Sequence, residues 1–149
     1  MGSILVCIPA RRDSPDALFS GPVEAITPNA ALRSSLDYTD DMTEEADYAA
    51  LVLASVWALA RHGERFVVTA EVDASQVAPG PEAANGGVLV TGLARRQLVA
   101  WFDDAEPGIA DGAADAVRGL DIDQAWADEQ VSALLEHELL WHTIEEWGT

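Results

Sequence analysis

Residues 137–142, with the sequence HELLWH, contain the residue types of a zinc-protease helix at a different spacing. In the zinc motif, two histidines lie one helical turn apart and the glutamate between them acts as general base. His137 and His142 are five positions apart. That separation places them roughly 140° apart around a helix, and on opposite faces of a strand. The spacing therefore excludes a shared zinc ion and the metalloprotease interpretation.

A second metal hypothesis uses the same segment. If the segment is helical, Glu138, His142 and Glu145 share one face, and two carboxylates with one imidazole suit a first-row divalent metal. The alternative is an exposed Glu138–His142 pair, with the neighbouring apolar residues packing on the core. The pattern leaves open whether residues 138–144 are helix or strand, and the metal hypothesis depends on that choice.

Asp103 and Asp104 form another candidate site because they follow a predicted strand over 98–102. Carboxylates in such positions can hold Mg²⁺ or transfer protons. With 26 acidic residues in the chain, an adjacent pair also arises by chance, and a turn leading into a helix is the competing interpretation. Cys7 lies in an apolar run, where a thiol is usually inert. We therefore predict no cofactor, with a divalent metal as the alternative.

Five tryptophans provide material for the core and for surfaces. Trp57 and Trp101 lie in apolar runs and are predicted core residues. Trp126, Trp141 and Trp147 lie among acidic residues, where an indole ring often marks a protein interface. Sealing the edge of a small core is the other interpretation of these three residues.

The clearest predicted element is a helix with Asp41 as its N-cap and Gly63 as its end. Acidic residues fill its first turn and basic residues its last, as the helix dipole favours. Between Ala49 and Ala60 only Ser55 is polar. Such a helix needs cover on more than one side. We expect a sheet on one side, and a helix of the same chain or a second copy of the protein on the other.

Apolar runs and alternation predict five strands, over residues 4–8, 23–27, 65–73, 88–93 and 98–102. The last three are close enough in sequence to form an antiparallel meander, with a Pro- and Gly-rich loop over 74–87. Two further helices are predicted over 106–119 and 121–136. The pattern indicates a single α+β domain over residues 1–149, built as an open mixed sheet, largely antiparallel, with helices packed on it.

Charge and composition limit the partners of this chain. The net charge is −18, all eight basic residues are Arg, and only Arg11–Arg12 and Arg95–Arg96 are adjacent. So few adjacent basic residues predict no binding to nucleic acid or to anionic membranes. The longest apolar block is too short for the roughly 20 residues that span a bilayer. The single cysteine and the absence of a signal-like N-terminus predict a cytoplasmic protein.

Several short motifs occur in a characteristic order: AITP at 25–28, EEADYAA at 44–50, VVTAEV at 67–72, Asp103–Asp104, and HELLW at 137–141. In this order the chain resembles an uncharacterised family of small acidic actinobacterial proteins, a domain of unknown function. The resemblance implies a cytoplasmic protein from a GC-rich genome, in agreement with the absence of lysine. It implies no activity and assigns no catalytic residue.

Two hypotheses of function follow from these patterns. The leading hypothesis is a non-enzymatic protein-interaction module that binds a protein partner or forms a homodimer. The alternative is a small divalent-metal-dependent enzyme or metal-binding protein. A DNA mimic would need the acidic residues arrayed on one face, which the linear pattern does not demand.

Overall fold

A seven-stranded open sheet organises the chain in a computed structural model, which describes residues 3–147. The strands are β1 Ser3–Pro9, β2 Val23–Ile26, β3 Val67–Asp73, β4 Val77–Pro79, β5 Gly87–Val90, β6 Leu98–Asp104 and β7 Leu139–Thr143. Their order is β4-β5-β2-β1-β3-β6-β7, with antiparallel pairings between neighbours. The predicted α+β class is confirmed, and the sheet is antiparallel rather than mixed.

Side chains alternate between the two faces of the central strands. Val6 and Ile8 of β1 lie on one face with Val68 of β3, whereas Cys7 and Val67 lie on the opposite face. Val67 is an apolar residue at a position where strict alternation would place a polar one. The structure explains it, because β3 is buried on both faces.

Five α-helices accompany the sheet: α1 Ala30–Ser35, α2 Thr43–His62, α3 Asp111–Val117, α4 Ile122–Trp126 and α5 Glu129–Leu134. Leu53 and Trp57 of α2 pack on the sheet, while Val56 and Leu59 pack on the C-terminal helices. The prediction that α2 is covered from two sides is confirmed, and the second cover comes from the same chain. Within residues 3–147, no helix has the length and apolar character needed to cross a membrane.

The two ends of α2 differ in how well the sequence predicts them. Gly63 adopts φ +80° and its N–H bonds to the carbonyl of Leu59, as a helix-ending glycine does. Asp41, the predicted N-cap, does not cap the helix, which begins at Thr43. Its carboxylate accepts a hydrogen bond from Thr39 Oγ1 instead. That hydrogen bond lowers the pKa of Asp41.

The predicted meander of the last three strands is wrong. β5 pairs with β2 and β4, while β3 pairs with β1 and β6. The reason lies in residues 74–87, which were expected to form a loop. They contain β4 between two 3₁₀ turns and carry the chain across to the far edge of the sheet. The number of residues between two strands therefore does not determine whether they pair in the sheet.

The C-terminal third contains shorter elements than predicted. Residues 106–110 form turns and bends, so the helix expected from residue 106 begins at Asp111. The helix predicted over 121–136 is divided into α4 and α5, because the Asp128 side chain accepts a hydrogen bond from Gln130 N and caps a new helix. Residues 139–143, which the sequence left open, are the strand β7.

Candidate functional site

The HELLWH segment follows the end of α5 and leads into the edge strand β7. It is not helical, so Glu138, His142 and Glu145 do not share the helical face that the metal hypothesis requires. Glu138 lines a surface hollow, His142 lies inside β7, and Glu145 is exposed in the 3₁₀ turn that follows β7. Within residues 3–147, no group of three or more His, Cys, Asp or Glu side chains is placed to hold a metal ion.

The structure instead brings His142 to Asp103, which joins two candidates from separate motifs. His142 Nε2 lies 2.7 Å from Asp103 Oδ1, and the His142 ring stacks on Trp101 with 3.8 Å between ring centroids. Arg12 Nη2 donates to Asp103 Oδ2 at 2.5 Å. Asp103 is only 9% exposed, and both of its carboxylate oxygens are engaged. The cluster therefore cross-links β6, β7 and the segment after β1.

Arg12 also joins the C-terminal turn to this cluster. Its backbone N–H donates to Glu64 Oε1 at 2.8 Å, and its carbonyl oxygen accepts from Trp147 Nε1 at 3.0 Å. The Trp147 ring lies 5.3 Å from that of Phe66, and Trp147 is 6% exposed. Trp147 thus seals one edge of the core, which was the second interpretation of this residue.

Asp104 has a different partner from its neighbour Asp103. Its carboxylate accepts hydrogen bonds from Arg65 Nε at 3.0 Å and from Arg65 Nη2. Arg65 Nη2 also donates to the carbonyl oxygen of His137 at 2.9 Å. The Arg65 side chain is 2% exposed, so this is a buried ion pair. Adjacent strand residues point to opposite faces, so Asp103 and Asp104 stabilise different parts of the fold.

A polar cleft of about 380 Å³ lies beside these two ion pairs. It is lined in part by Arg12, Arg65 and several acidic residues, including Glu64. Within the described chain, each of the two guanidinium groups that line it is bound to an aspartate. The cleft therefore presents no unpaired arginine to an anionic substrate.

Cys7 does not supply a nucleophile in this fold. It lies on β1 beneath α2, and burial raises the pKa of its thiol to about 12. The thiol is therefore protonated at neutral pH, whereas the thiolate is the reactive form.

A different surface carries two exposed aromatic side chains, Tyr48 and Trp126. Two hollows of about 510 and 410 Å³ share Tyr48, Val52 and Trp126 in their walls. Tyr48 is 59% exposed and Trp126 is 43% exposed. The first hollow extends towards α1, and the second extends to Phe102 and Leu139 at the sheet. We call this continuous surface the aromatic groove.

The rim of the aromatic groove is acidic. Asp123 lines the first hollow and Glu138 lines the second. Among the described residues that line the two hollows, Arg65 is the one arginine, and its charge is matched by Asp104. The groove thus combines apolar walls with uncompensated negative charge.

The loop that forms one wall of the groove is fixed to α4. Glu82 adopts φ +61°, and its Oε2 accepts from the Ile122 backbone N–H at 2.8 Å. Asn85 Nδ2 donates to Asp123 Oδ1 at 3.2 Å. A Cβ at Gly87 would lie 1.8 Å from a backbone oxygen, so the turn requires glycine there. This wall is held in place without a ligand.

The three tryptophans predicted as interface candidates lie in different settings. Trp126 forms part of the aromatic groove, and Trp141 on β7 is 62% exposed, whereas Trp147 is buried. Tyr48 was not among the predicted interface residues. A tyrosine among Glu45, Asp47 and other acidic residues at the polar start of an apolar helix is the signal that could have identified it.

A comparison with curated proteins and with solved structures found no match to this chain. A comparison with protein families found a match over residues 10–149, which is most of the chain. The predicted resemblance to a domain of unknown function is thereby confirmed: the chain belongs to the family of unknown function designated DUF6912.

Proposed function

We propose that the protein is a non-enzymatic protein-interaction module whose docking surface is the aromatic groove. The supporting observation is the exposure of Tyr48 and Trp126 between two joined hollows. Apolar patches rimmed by polar residues mark interaction sites, and tyrosine and tryptophan are enriched among residues that dominate binding energy. Among the metal-site candidates, in contrast, Asp103 and His142 are bonded to each other and Asp104 is bonded to Arg65.

The charge of the groove favours one kind of occupant. Asp123 and Glu138 lie at its rim, and the whole chain carries a net charge of −18. A partner segment with apolar side chains flanked by Lys or Arg matches both features, because complementary charge speeds encounter and suppresses wrong partners. A second copy would bring the same acidic charge to the interface. We therefore favour a basic, amphipathic segment of another protein over a homodimer.

A synthetic peptide of leucine and lysine tests this proposal by titration calorimetry. We expect saturable binding that weakens at least tenfold in Tyr48→Ala and in Trp126→Ala. Val99→Ala is the matched control, because Val99 is 46% exposed and lies outside the residues lining both hollows. A peptide with glutamate in place of lysine should not bind. Equal affinity of wild type and both groove variants for the lysine peptide would contradict the proposal.

Light scattering of the protein alone tests whether a second copy of the chain occupies the groove instead of a partner segment. We expect a monomer across a wide concentration range. A dimer that dissociates on dilution, and that Trp126→Ala abolishes, would assign the groove to a second copy of the chain instead.

A further inference from the structure

β7 is an open edge of the sheet. Within residues 3–147 it pairs with β6 alone. Alternate residues of β7 direct their backbone N–H and C=O groups away from β6, and no strand within residues 3–147 pairs with them. The Thr143 N–H is bonded to Glu146 Oε2, and the rest of the row is a template for pairing with another chain.

The two edges of the sheet are protected differently. β4 has three residues and ends at Pro79, which cannot donate a ladder hydrogen bond. β7 has five residues, LLWHT, without proline, glycine or lysine. Natural edge strands avoid unwanted pairing by being short or by carrying proline, charge or a bulge. β7 lacks these devices, and Leu140 and Trp141 are exposed on its two faces.

The open edge is continuous with the aromatic groove. Leu139, the first residue of β7, lines the second hollow, as does Phe102 of β6. Trp141 is the register partner of Phe102 and so lies on the same face of the sheet. A strand placed along β7 would therefore have one face directed towards Trp141 and the groove.

Acidic residues flank both ends of β7. Glu138 precedes the strand, and Glu145 and Glu146 follow it, all three exposed. Two β7 strands paired antiparallel around Trp141 would bring the Glu138 end of one copy beside the Glu145–Glu146 end of the other. Like charges facing each other across a strand pair destabilise it. A segment with basic residues at its ends would meet opposite charge instead.

We infer that the partner segment binds in extended form, adding to β7 as an eighth strand, with alternating apolar side chains and basic residues at its ends. This inference rests on the proposed function, because the strand's inner face contacts the aromatic groove. In this binding mode main-chain hydrogen bonds give affinity, and alternate side chains give specificity.

Two peptides of identical leucine and lysine composition test the inference. One alternates leucine and lysine, which specifies a strand, and the other spaces leucine for an amphipathic helix. We expect the alternating peptide to bind at least tenfold more tightly. N-methylation of alternate residues should weaken its binding at least tenfold for one of the two alternating sets and leave it unchanged for the other. The methylated set that blocks binding is the one that faces β7.

The outcomes separate this inference from the proposed function. Tighter binding of the helical peptide, still lost in Trp126→Ala, would overturn strand addition and leave the groove as the docking surface. Equal tolerance of both methylated peptides would also overturn it. If neither parent peptide binds, the proposed function fails, and strand addition fails with it.

Discussion

The polar end of β6 and the aromatic groove lie in one small fold but differ in how their side chains are used. At the polar end the charged side chains are bonded to partners within the chain, whereas in the groove the aromatic side chains are exposed to solvent. At the polar end, Asp103 contacts two partners and Asp104 is bound by the buried Arg65. In the groove, Tyr48 and Trp126 expose much of their rings to solvent. Asp103, Asp104 and His142, three of the residues that suggest chemistry in the sequence, thus bond to residues from other parts of the chain. The aromatic groove has apolar walls that are open to solvent, and such a surface suits binding.

Stability and binding should therefore separate cleanly between the two regions. Removing the charge of Asp103 should reduce the free energy of unfolding and leave peptide affinity unchanged, because Asp103 does not line either hollow, and variants in the groove should do the reverse. Four predictions follow this contrast, from the largest expected effect to the smallest.

The largest effect should come from Asp104→Ala. It leaves the Arg65 guanidinium buried without its charged partner, and breaking a buried pair costs about 3–5 kcal/mol. Urea unfolding measures the loss. Asp115→Ala is the matched control, because it breaks an exposed pair with Arg118 and should cost less than about 1 kcal/mol. Equal, small losses in both variants would show that the Arg65–Asp104 pair is not a main support of the fold.

Trp126→Ala should show the opposite behaviour. Removing a central aromatic side chain from an interface costs about 2 kcal/mol of binding free energy or more, which corresponds to about a 30-fold weaker affinity. The free energy of unfolding should change by less than about 1 kcal/mol, because Trp126 is partly exposed in the free protein. A large loss of stability with little loss of affinity would reverse the roles of the two regions.

Asp103→Asn should cost about 1–2 kcal/mol of stability, because it removes the charge from hydrogen bonds to Arg12 and His142. The effect should be smaller than at Asp104 because Arg12 is half exposed and can be solvated. Thermal or urea unfolding measures this loss, and peptide affinity should stay at the wild-type value. An unchanged free energy of unfolding would show that the hydrogen bonds of Asp103 to Arg12 and His142 do not stabilise the fold.

The smallest effect concerns His62 at the end of α2. Burial, followed by the charge of Arg11, lowers the pKa of His62. Among residues 3–147, His62 Nδ1 is buried without a hydrogen-bond partner. The folded state thus binds a proton on His62 less readily than the unfolded state does. The stability associated with neutral His62 is present above the unfolded pKa of about 6.5 and is lost as pH falls through the lower, folded pKa.

His62→Gln should remove that part of the pH dependence. Unfolding free energies of wild type and variant, measured between pH 7.5 and pH 5, should show a steeper decline for wild type. Parallel curves over this range would mean that His62 titrates alike in the folded and unfolded states.

The sequence predicts the elements better than the contacts between them. Local signals predict the C-terminal end of α2 at Gly63 and the presence of a strand at β3. The polar cluster depends on pairs that are far apart in sequence, since Arg12 and Asp103 are 91 residues apart and Arg65 and Asp104 are 39 apart. No linear pattern links an isolated arginine to one aspartate among many.

Only part of the candidate site could be predicted from the sequence, because the rest depends on contacts between distant residues. Trp126 and Trp141 stand out as aromatic residues among acids, and both are exposed in the structure. Trp147 has the same sequence context, yet it is buried against Phe66. The residues next to a tryptophan in the sequence do not determine which distant part of the chain it packs on. Tyr48 became part of a groove only because α4 lies beside α2.

The most direct test of strand addition at the aromatic groove is a two-dimensional ¹⁵N NMR titration with the alternating leucine–lysine peptide. The five tryptophan indole N–H groups are built-in reporters. We predict that the Trp126 and Trp141 indole signals shift together with the backbone amides of β7, while those of Trp57 and Trp147 stay in place. Shifts centred on Trp101 and the Arg12–Asp103 cluster, with Trp126 and Trp141 unchanged, would contradict the account.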